Sequence, residues 1–184
     1  MKQLDWDIYF LKIAKTVAEN SKCLSRKIGA VLVKDKAIIS TGYNGPARGV
    51  LHCNQRPLEF YSKLDDLNNG GDGSRVTGKW FMDGDNSYPV KCPRKYFDYT
   101  SGQGLHLCQA GHAERNALIQ AAKNGISTEG STLYCYCPQV CKDCAIEIIN
   151  AGVSRLVFLK GKDYDNYSKV ILKDANIKIT IIGD

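Results

Sequence analysis

At 184 residues, with ordinary apolar and charged fractions, the chain is sized for one domain with a full core, since domains usually run to about 100–200 residues. It holds no apolar run of the roughly 18 residues that would span a bilayer, and Met1-Lys2-Gln3-Leu4-Asp5-Trp6-Asp7 lacks the apolar centre of an export signal, so the expected location is cytoplasmic. The net charge of +6, from 25 basic and 19 acidic residues, favours an anionic partner, but the basic residues are scattered; a phosphorylated small molecule, a polynucleotide and an ordinary solvated surface all fit.

Ile8, Leu11, Ala14, Val17 and Ala18 recur at helical spacing and predict an amphipathic helix over about 5–20, with Trp6 and Phe10 adding to its apolar side. Ile28-Gly29-Ala30-Val31-Leu32-Val33 and Ala37-Ile38-Ile39-Ser40-Thr41 flank the charged Lys34-Asp35-Lys36 and predict a hairpin, whose second strand ends at Gly42-Tyr43-Asn44-Gly45-Pro46. From about 54 to 104 the composition turns to Gly, Asn, Asp, Ser and Tyr, and Asn68-Asn69-Gly70-Gly71-Asp72-Gly73 is a loop signal. With no sustained periodicity and no evident apolar core, the stretch reads as an irregular insertion at about 55–104 in a single domain, 1–184.

Beyond it the pattern predicts a helix over 112–124, with Ala113, Ala117, Leu118, Ala121 and Ala122 inside and Gly125 as its stop. A strand over 131–137, a helix over 141–151 closed by Gly152, a strand over 155–160, a helix over 166–174 and a strand over 177–182 follow. The order α-β-β, insertion, α-β-α-β-α-β implies an α/β fold of three layers, α/β/α, around one mixed sheet of about five strands.

Eight cysteines in an intracellular chain point to metal binding or free thiols over disulfides. The chemistry concentrates in His112-Ala113-Glu114 and Cys141-Lys142-Asp143-Cys144. One imidazole and two thiolates supply three zinc ligands and leave the fourth tetrahedral position to water, which is a catalytic arrangement. In mid-helix His112 and Glu114 would point to nearly opposite sides, because two residues advance about 200°. They converge only if His112 stands at the helix entrance, which Gly111 makes feasible. Cys141 and Cys144, at i and i+3, share a face.

Both pairs fall at helix N-termini, whose positive ends favour thiolate, and Glu114 is placed to carry protons without being a ligand. Alone, each piece is weak, since His-x-Glu is common and a lone Cys-x-x-Cys is often structural. Together they are specific. A rival reading makes Cys135, Cys137, Cys141 and Cys144 a four-cysteine structural knuckle; against it, Cys135 and Cys137 fall in a predicted strand and need not face Cys141.

His112-Ala113-Glu114-Arg115-Asn116-Ala117 and Cys141-Lys142-Asp143-Cys144-Ala145 resemble the signature of the zinc-dependent cytidine deaminase superfamily. Ile28-Gly29-Ala30-Val31, Gly42-Tyr43-Asn44-Gly45 and Cys53 are similar, more narrowly, to its deoxycytidylate (dCMP) deaminases, and the likeness runs over about 8–53 and 106–182. One departure is Val140, which stands where the superfamily usually has proline before its first metal cysteine; Pro138 lies two residues earlier, so the turn is one residue longer.

The resemblance implies hydrolysis of dCMP to dUMP and ammonia at a Zn²⁺ held by His112, Cys141 and Cys144. Glu114 would protonate N3 of the cytosine and then pass a proton to the departing amine. Asn44 would hydrogen-bond the sugar or base, although Asn-Gly is also an ordinary turn signal. Ile28, Ala113 and Tyr164 fall where the family lines its pocket, Tyr164 near the phosphate.

A second, structural zinc is implied at Cys23, Cys53 and His106, with His52, Cys92 or Cys108 as fourth ligand; buried free cysteines are the simpler alternative. The likeness further implies activation by dCTP and inhibition by dTTP, with Mg²⁺, in a homo-oligomer of six. Tyr43, Asn44, Gly45 and Arg48 would form the effector segment, and Lys123 would relay subunit contacts.

Gly73-Ser74-Arg75-Val76-Thr77-Gly78-Lys79-Trp80 nearly matches a phosphate-binding P-loop, but Trp80 replaces the Ser or Thr that would hold Mg²⁺ and no buried strand precedes it. A polynucleotide deaminase would want a basic groove with stacking aromatics. The Gly-Tyr-Asn-Gly segment and the second Cys, Cys, His set argue against a nucleic-acid partner. A noncatalytic binding protein, akin to competence-type relatives of the family, is the alternative of a different class; intact His112, Glu114, Cys141 and Cys144 argue for an enzyme.

Overall fold

Asp5 starts the first helix, α1 (Trp6–Glu19): its carboxylate accepts the backbone N–H groups of Asp7 and Ile8 at 2.8 and 3.4 Å, satisfying donors that a helix start leaves unpaired. In this computed structural model, which describes residues 5–57, 59–61, 63, 80–83, 86–89, 92–100, 103–162 and 165–183, the chain divides into two compact units. One takes in 1–21, 27–45 and 111–184, the other 22–26 and 46–110.

The larger unit is built on a five-stranded sheet. Strands β1 (Gly29–Lys34) and β2 (Ala37–Tyr43) pair antiparallel across a turn in which Asp35 and Lys36 adopt φ of 50° and 61°, the left-handed pair that a two-residue hairpin requires. β3 (Thr132–Cys135) lies antiparallel to β1, while β4 (Arg155–Leu159) and β5 (Lys178–Ile182) run parallel to β3 and β4 in turn. The order is β2-β1-β3-β4-β5.

Parallel neighbours need crossovers. α3 (Lys142–Asn150) and α4 (Asn166–Asp174) provide them, and α2 (Ala113–Lys123) precedes β3.

Alternation along the strands decides which residue meets which layer. Ala30, Leu32, Leu133, Cys135, Leu156 and Phe158 pack with Ala113, Ala117 and Ala121 of α2, Cys144, Ala145 and Ile148 of α3 and Leu172 of α4. The intervening Val31, Val33, Tyr134 and Val157 pack with Phe10, Leu11 and Ala14 of α1. The result is the three-layer α/β/α arrangement, with a mixed sheet, that the element order implies.

Two glycines set how close the layers come. A Cβ on Gly29 would lie 2.1 Å from the Ala14 carbonyl oxygen of α1, and one on Gly42 would lie 2.3 Å from both Ala113 O and Ala117 N of α2. Beside Gly42, the buried Ser40 Oγ donates to the Ala117 carbonyl at 2.7 Å. The start of α2, where the candidate site lies, is therefore pressed directly onto β2.

The second unit contains the predicted insertion. Its backbone includes an antiparallel pair, Trp80–Asp83 with Asn86–Pro89, and a helical turn at Pro93–Tyr96. Contrary to the expectation that this stretch lacks an apolar core, Tyr61, Tyr96 and Phe97 are buried together with Phe60, Tyr99 and Leu107 packed around them. Tyr61 and Tyr96 stand 5.2 Å apart, ring to ring. These aromatics are dispersed along the sequence with no local period, so only the folded contacts bring them together.

Candidate active site

His112 is the N-cap of α2, with extended backbone at φ −70° and ψ 153°. That irregular entrance is what the two-residue spacing demands: it turns His112 toward the same region as Glu114. Cys141 plays the same part for α3, as its N-cap at φ −77° and ψ 166°, with Cys144 one turn inside.

The His112 Nδ1 atom lies 3.3 Å from both Cys141 Sγ and Cys144 Sγ. All three ligand atoms fall within 4.8 Å of one another. A nitrogen and two sulfurs in one cluster are the donor set of a catalytic zinc site, leaving one tetrahedral position for water. The residues fit that metal.

The thiols divide their protons unequally. Cys141 is pulled down to about 4, chiefly because Cys144 hydrogen-bonds to its sulfur, with burial opposing and His112 adding a second hydrogen bond. Cys144 is pushed far up by the same contact with Cys141 and then by burial. His112 is raised, first by its hydrogen bond to Cys141, against the effect of burial. One thiolate is thus already stabilised at the helix start.

The backbone around the thiols is braced from α4. Asp165 Oδ2 accepts the Lys142 N–H at 2.6 Å, capping α3 beside Cys141, while Asp165 Oδ1 caps α4 by accepting the Ser168 N–H at 3.1 Å. In the turn before α3, the side chain of the buried Gln139 donates to the Asp165 carbonyl and, at 2.9 Å, to Ser168 Oγ. Across the two ligand-bearing helices, Arg115 forks onto Glu147 with contacts of 2.8 and 2.6 Å.

Glu114 is 3 % exposed, and its Oε2 has no hydrogen-bond partner. Burial raises its pKa, opposed by a hydrogen bond from its own backbone N–H, by the charge of His112 and, to a lesser degree, by a hydrogen bond from the Cys135 thiol. A carboxyl group with an elevated pKa holds a proton more readily near neutrality, as a general acid must.

The four cysteines of the rival knuckle separate into two sets. Cys141 and Cys144 gather with His112, whereas Cys135 and Cys137 gather with Glu114. Sequence reasoning set Cys135 and Cys137 aside. The signal that marks them is their i, i+2 spacing, which continues the inward face of Leu133 toward α2.

Asn44 is buried, and its carboxamide oxygen accepts the Ile28 N–H at 2.8 Å, while its backbone N–H donates to Ile28 O at 3.1 Å and its carbonyl accepts from Ser21 Oγ at 2.7 Å. Asn44 and Ile28 are thus brought together. Ala113 is fully buried, Tyr43 is exposed, and the Tyr43 carbonyl accepts from Asn116 Nδ2 at 2.8 Å. Gly45 is buried, Lys123 is exposed in the last turn of α2, and Arg48, in the second unit, is exposed. Tyr164 lies outside the described residues, as does 73–79 of the P-loop-like stretch.

Cys23, Cys53, Cys92, His106 and Cys108 all belong to the second unit. Burial, and then the neighbouring Cys92, push the Cys53 thiol up; Arg56 opposes, and Cys108 and Cys23 add smaller upward effects. His106 instead meets the Tyr99 ring edge-on, with centroids 6.1 Å apart. Among the described residues, no three of these groups have ligand atoms all within 4.8 Å of one another.

Residues 4–160 match the family model described as the cytidine and deoxycytidylate deaminase zinc-binding region. The chain belongs to this deaminase family. Its relatives include the deoxycytidylate deaminase of Enterobacteria phage T2, 34 % identical over 92 % of this chain and 88 % of that one. Another is the deoxycytidylate deaminase of Saccharomyces cerevisiae, 32 % identical over 95 % of this chain but only 44 % of the yeast protein. The chain thus spans less than half of the yeast deaminase.

Among solved structures, the dCMP deaminase of cyanophage S-TIM5 in complex with dCMP and dUMP superposes with a TM-score of 0.63, covering 99 % of this chain and 100 % of that one at 22 % identity. The deaminase fold is shared. Among the described residues, no helix is long and apolar enough to cross a membrane.

Proposed function

We propose that this deaminase converts dCMP to dUMP and ammonia, supplying dUMP for thymidylate synthesis. The observation that carries the reading is a buried carboxyl, Glu114, with an unpartnered oxygen next to the His112, Cys141 and Cys144 cluster. His112, Cys141 and Cys144 would hold a zinc ion, which would supply Lewis-acid activation of a water. Glu114 would hold and move the protons, delivering one to N3 of the cytosine and later one to the departing N4 amine. Burial keeps this traffic away from bulk solvent. Ile28, Asn44, Ala113 and Tyr164 bind the nucleotide, with Tyr164 at its phosphate; the two bonds between Asn44 and Ile28, one to the Asn44 carboxamide oxygen and one from its backbone N–H, support this by fixing the two side by side.

The test is ammonia release from dCMP, dCTP, deoxycytidine and a cytosine-containing oligonucleotide. Preference for dCMP supports the reading, and equal or better turnover of the oligonucleotide overturns it.

The same proposal includes a second, structural zinc in the second unit. Cys23, Cys53 and His106 are three of its ligands, with His52, Cys92 or Cys108 as the fourth, and the electrostatic influence of Cys92, Cys108 and Cys23 on Cys53 supports a gathering of thiols there. Two zinc ions per chain, one of them lost in Cys53→Ser and in His106→Ala, is the expected result. Regulation by dCTP and dTTP with Mg²⁺, through Tyr43, Asn44, Gly45 and Arg48 and relayed by Lys123 in a cytoplasmic hexamer, completes the proposal. Turnover indifferent to both triphosphates removes that part.

A further inference from the structure

We infer that Glu114, Cys135 and Cys137 form a second metal site inside the catalytic unit, an inhibitory one that takes a thiophilic divalent cation such as excess Zn²⁺. The carboxylate oxygen and two sulfurs all lie within 4.8 Å of one another. All three residues are buried, at 3 %, 0 % and 3 % exposure. Zinc binds thiolate at about 2.3 Å and carboxylate at about 2.0–2.2 Å, which puts ligand atoms on one ion roughly 3.5–4 Å apart. Closing the trio onto a cation therefore needs side-chain adjustments of about 1 Å at most.

Backbone placement makes the trio. Cys135 is the last residue of β3, and Cys137, two residues on, faces the same way, toward the first turn of α2 that carries Glu114. The Cys137 thiol donates to the Gln139 carbonyl at 3.2 Å, and Gln139 is itself anchored to Ser168, so this end of the strand is held in place. Two sulfurs select for soft or borderline cations over Mg²⁺ or Ca²⁺.

The unpartnered Glu114 Oε2 is a second sign of a ligand. A buried carboxyl oxygen without a partner carries an unpaid desolvation cost, which a bound cation offsets. Binding displaces one proton from each thiol, and the proton of Glu114 where the carboxyl carries one, to solvent, so the site gains two thiolates and a carboxylate around the divalent ion. The His112, Cys141 and Cys144 ligands are not consumed.

Inhibition follows because a cation held by Glu114 blocks proton transfer at the group the proposed deamination depends on. It rests on that role for Glu114, whereas the metal site itself does not. The test takes the protein with its resident zinc, titrates it with Zn²⁺, counts metal per chain by native mass spectrometry and follows dCMP turnover in parallel. Wild type is expected to bind one more zinc than Cys137→Ala and to lose about 100-fold or more of its turnover as that ion binds, while Cys137→Ala keeps its turnover over the same range.

Cys135→Ser, a second variant with a hydroxyl of similar size but poor affinity for zinc, is expected to behave like Cys137→Ala. Equal metal counts in wild type and both variants overturn the site, and an extra zinc that leaves wild-type turnover unchanged overturns its inhibitory role. Should dCMP prove not to be the substrate, the difference in metal count still decides whether the site exists.

Discussion

Replacing Gly42 with alanine tests the claim that the active site is pressed onto the sheet. The added Cβ would stand 2.3 Å from Ala113 O, 2.3 Å from Ala117 N and 2.9 Å from Asn116 C, where about 3.5 Å is comfortable. All three are backbone atoms of α2, so no side-chain rotation relieves the clash and helix and strand must part by about 1 Å. The Ser40 hydroxyl bond to Ala117 O, 2.7 Å long, lies in the same interface and stretches with it. Overpacking of this kind costs about 1–3 kcal/mol, which for a protein of this size lowers Tm by about 2–12 °C.

The helix end that moves carries His112 and Glu114. A misplacement of about 1 Å is enough to lower turnover by about 100-fold. Thermal unfolding and dCMP turnover at saturating substrate are measured together, with Gly183→Ala, whose Cβ would meet nothing within 4 Å, as the control. A Gly42→Ala protein with the melting temperature and turnover of wild type would refute the reasoning.

Glu114→Gln should retain zinc, measured by metal analysis, while turnover falls by about 10²–10⁴-fold. Asp7, one wall of the α1 packing, tests the pH dependence of stability. Burial raises its pKa but is outweighed by hydrogen bonds from Arg155, at 2.9 and 2.5 Å, and from the Tyr134 hydroxyl at 2.9 Å, so its folded pKa lies below the ordinary 3.8. A depressed folded pKa means stability that is present above about 3.8 and lost as pH falls through the folded value. Asp7→Asn should therefore melt lower than wild type at pH 7 by an amount that shrinks below pH ~4, as followed by melts across pH.

Asp165→Ala removes the acceptors of both the Lys142 and Ser168 N–H groups; a loss of about 0.5–2 kcal/mol per cap is expected in denaturant unfolding, with about half of it recovered in Asp165→Asn, whose carboxamide has one acceptor oxygen in place of two.

Local signals made much of this protein legible in the sequence. The helix 166–174 falls where the apolar period puts it, the hairpin turns on Asp35 and Lys36, and Gly125 ends α2 at φ +67°. The metal residues announced themselves because Cys141 and Cys144 share a helix face and because the His112 to Glu114 spacing works only at a helix start. These are constraints within a few residues, set by backbone geometry that adjacent side chains reveal.

Other features depended on contacts between segments far apart in sequence. That Cys135 and Cys137 join Glu114 and leave Cys141 and Cys144 to His112 follows from the β1–β3 register and the seating of α2 at Gly42. That the composition-poor stretch around 60–107 gathers Tyr61, Tyr96 and Phe97 into a cluster follows from tertiary packing without a local period. In the larger unit the sequence by itself determined the elements, their order and the donor types of the candidate metal site, because each is written in short-range spacing. Only the tertiary structure decided which buried thiols keep company with the carboxyl and how closely helix meets sheet, because those distances are set by layers meeting across the core.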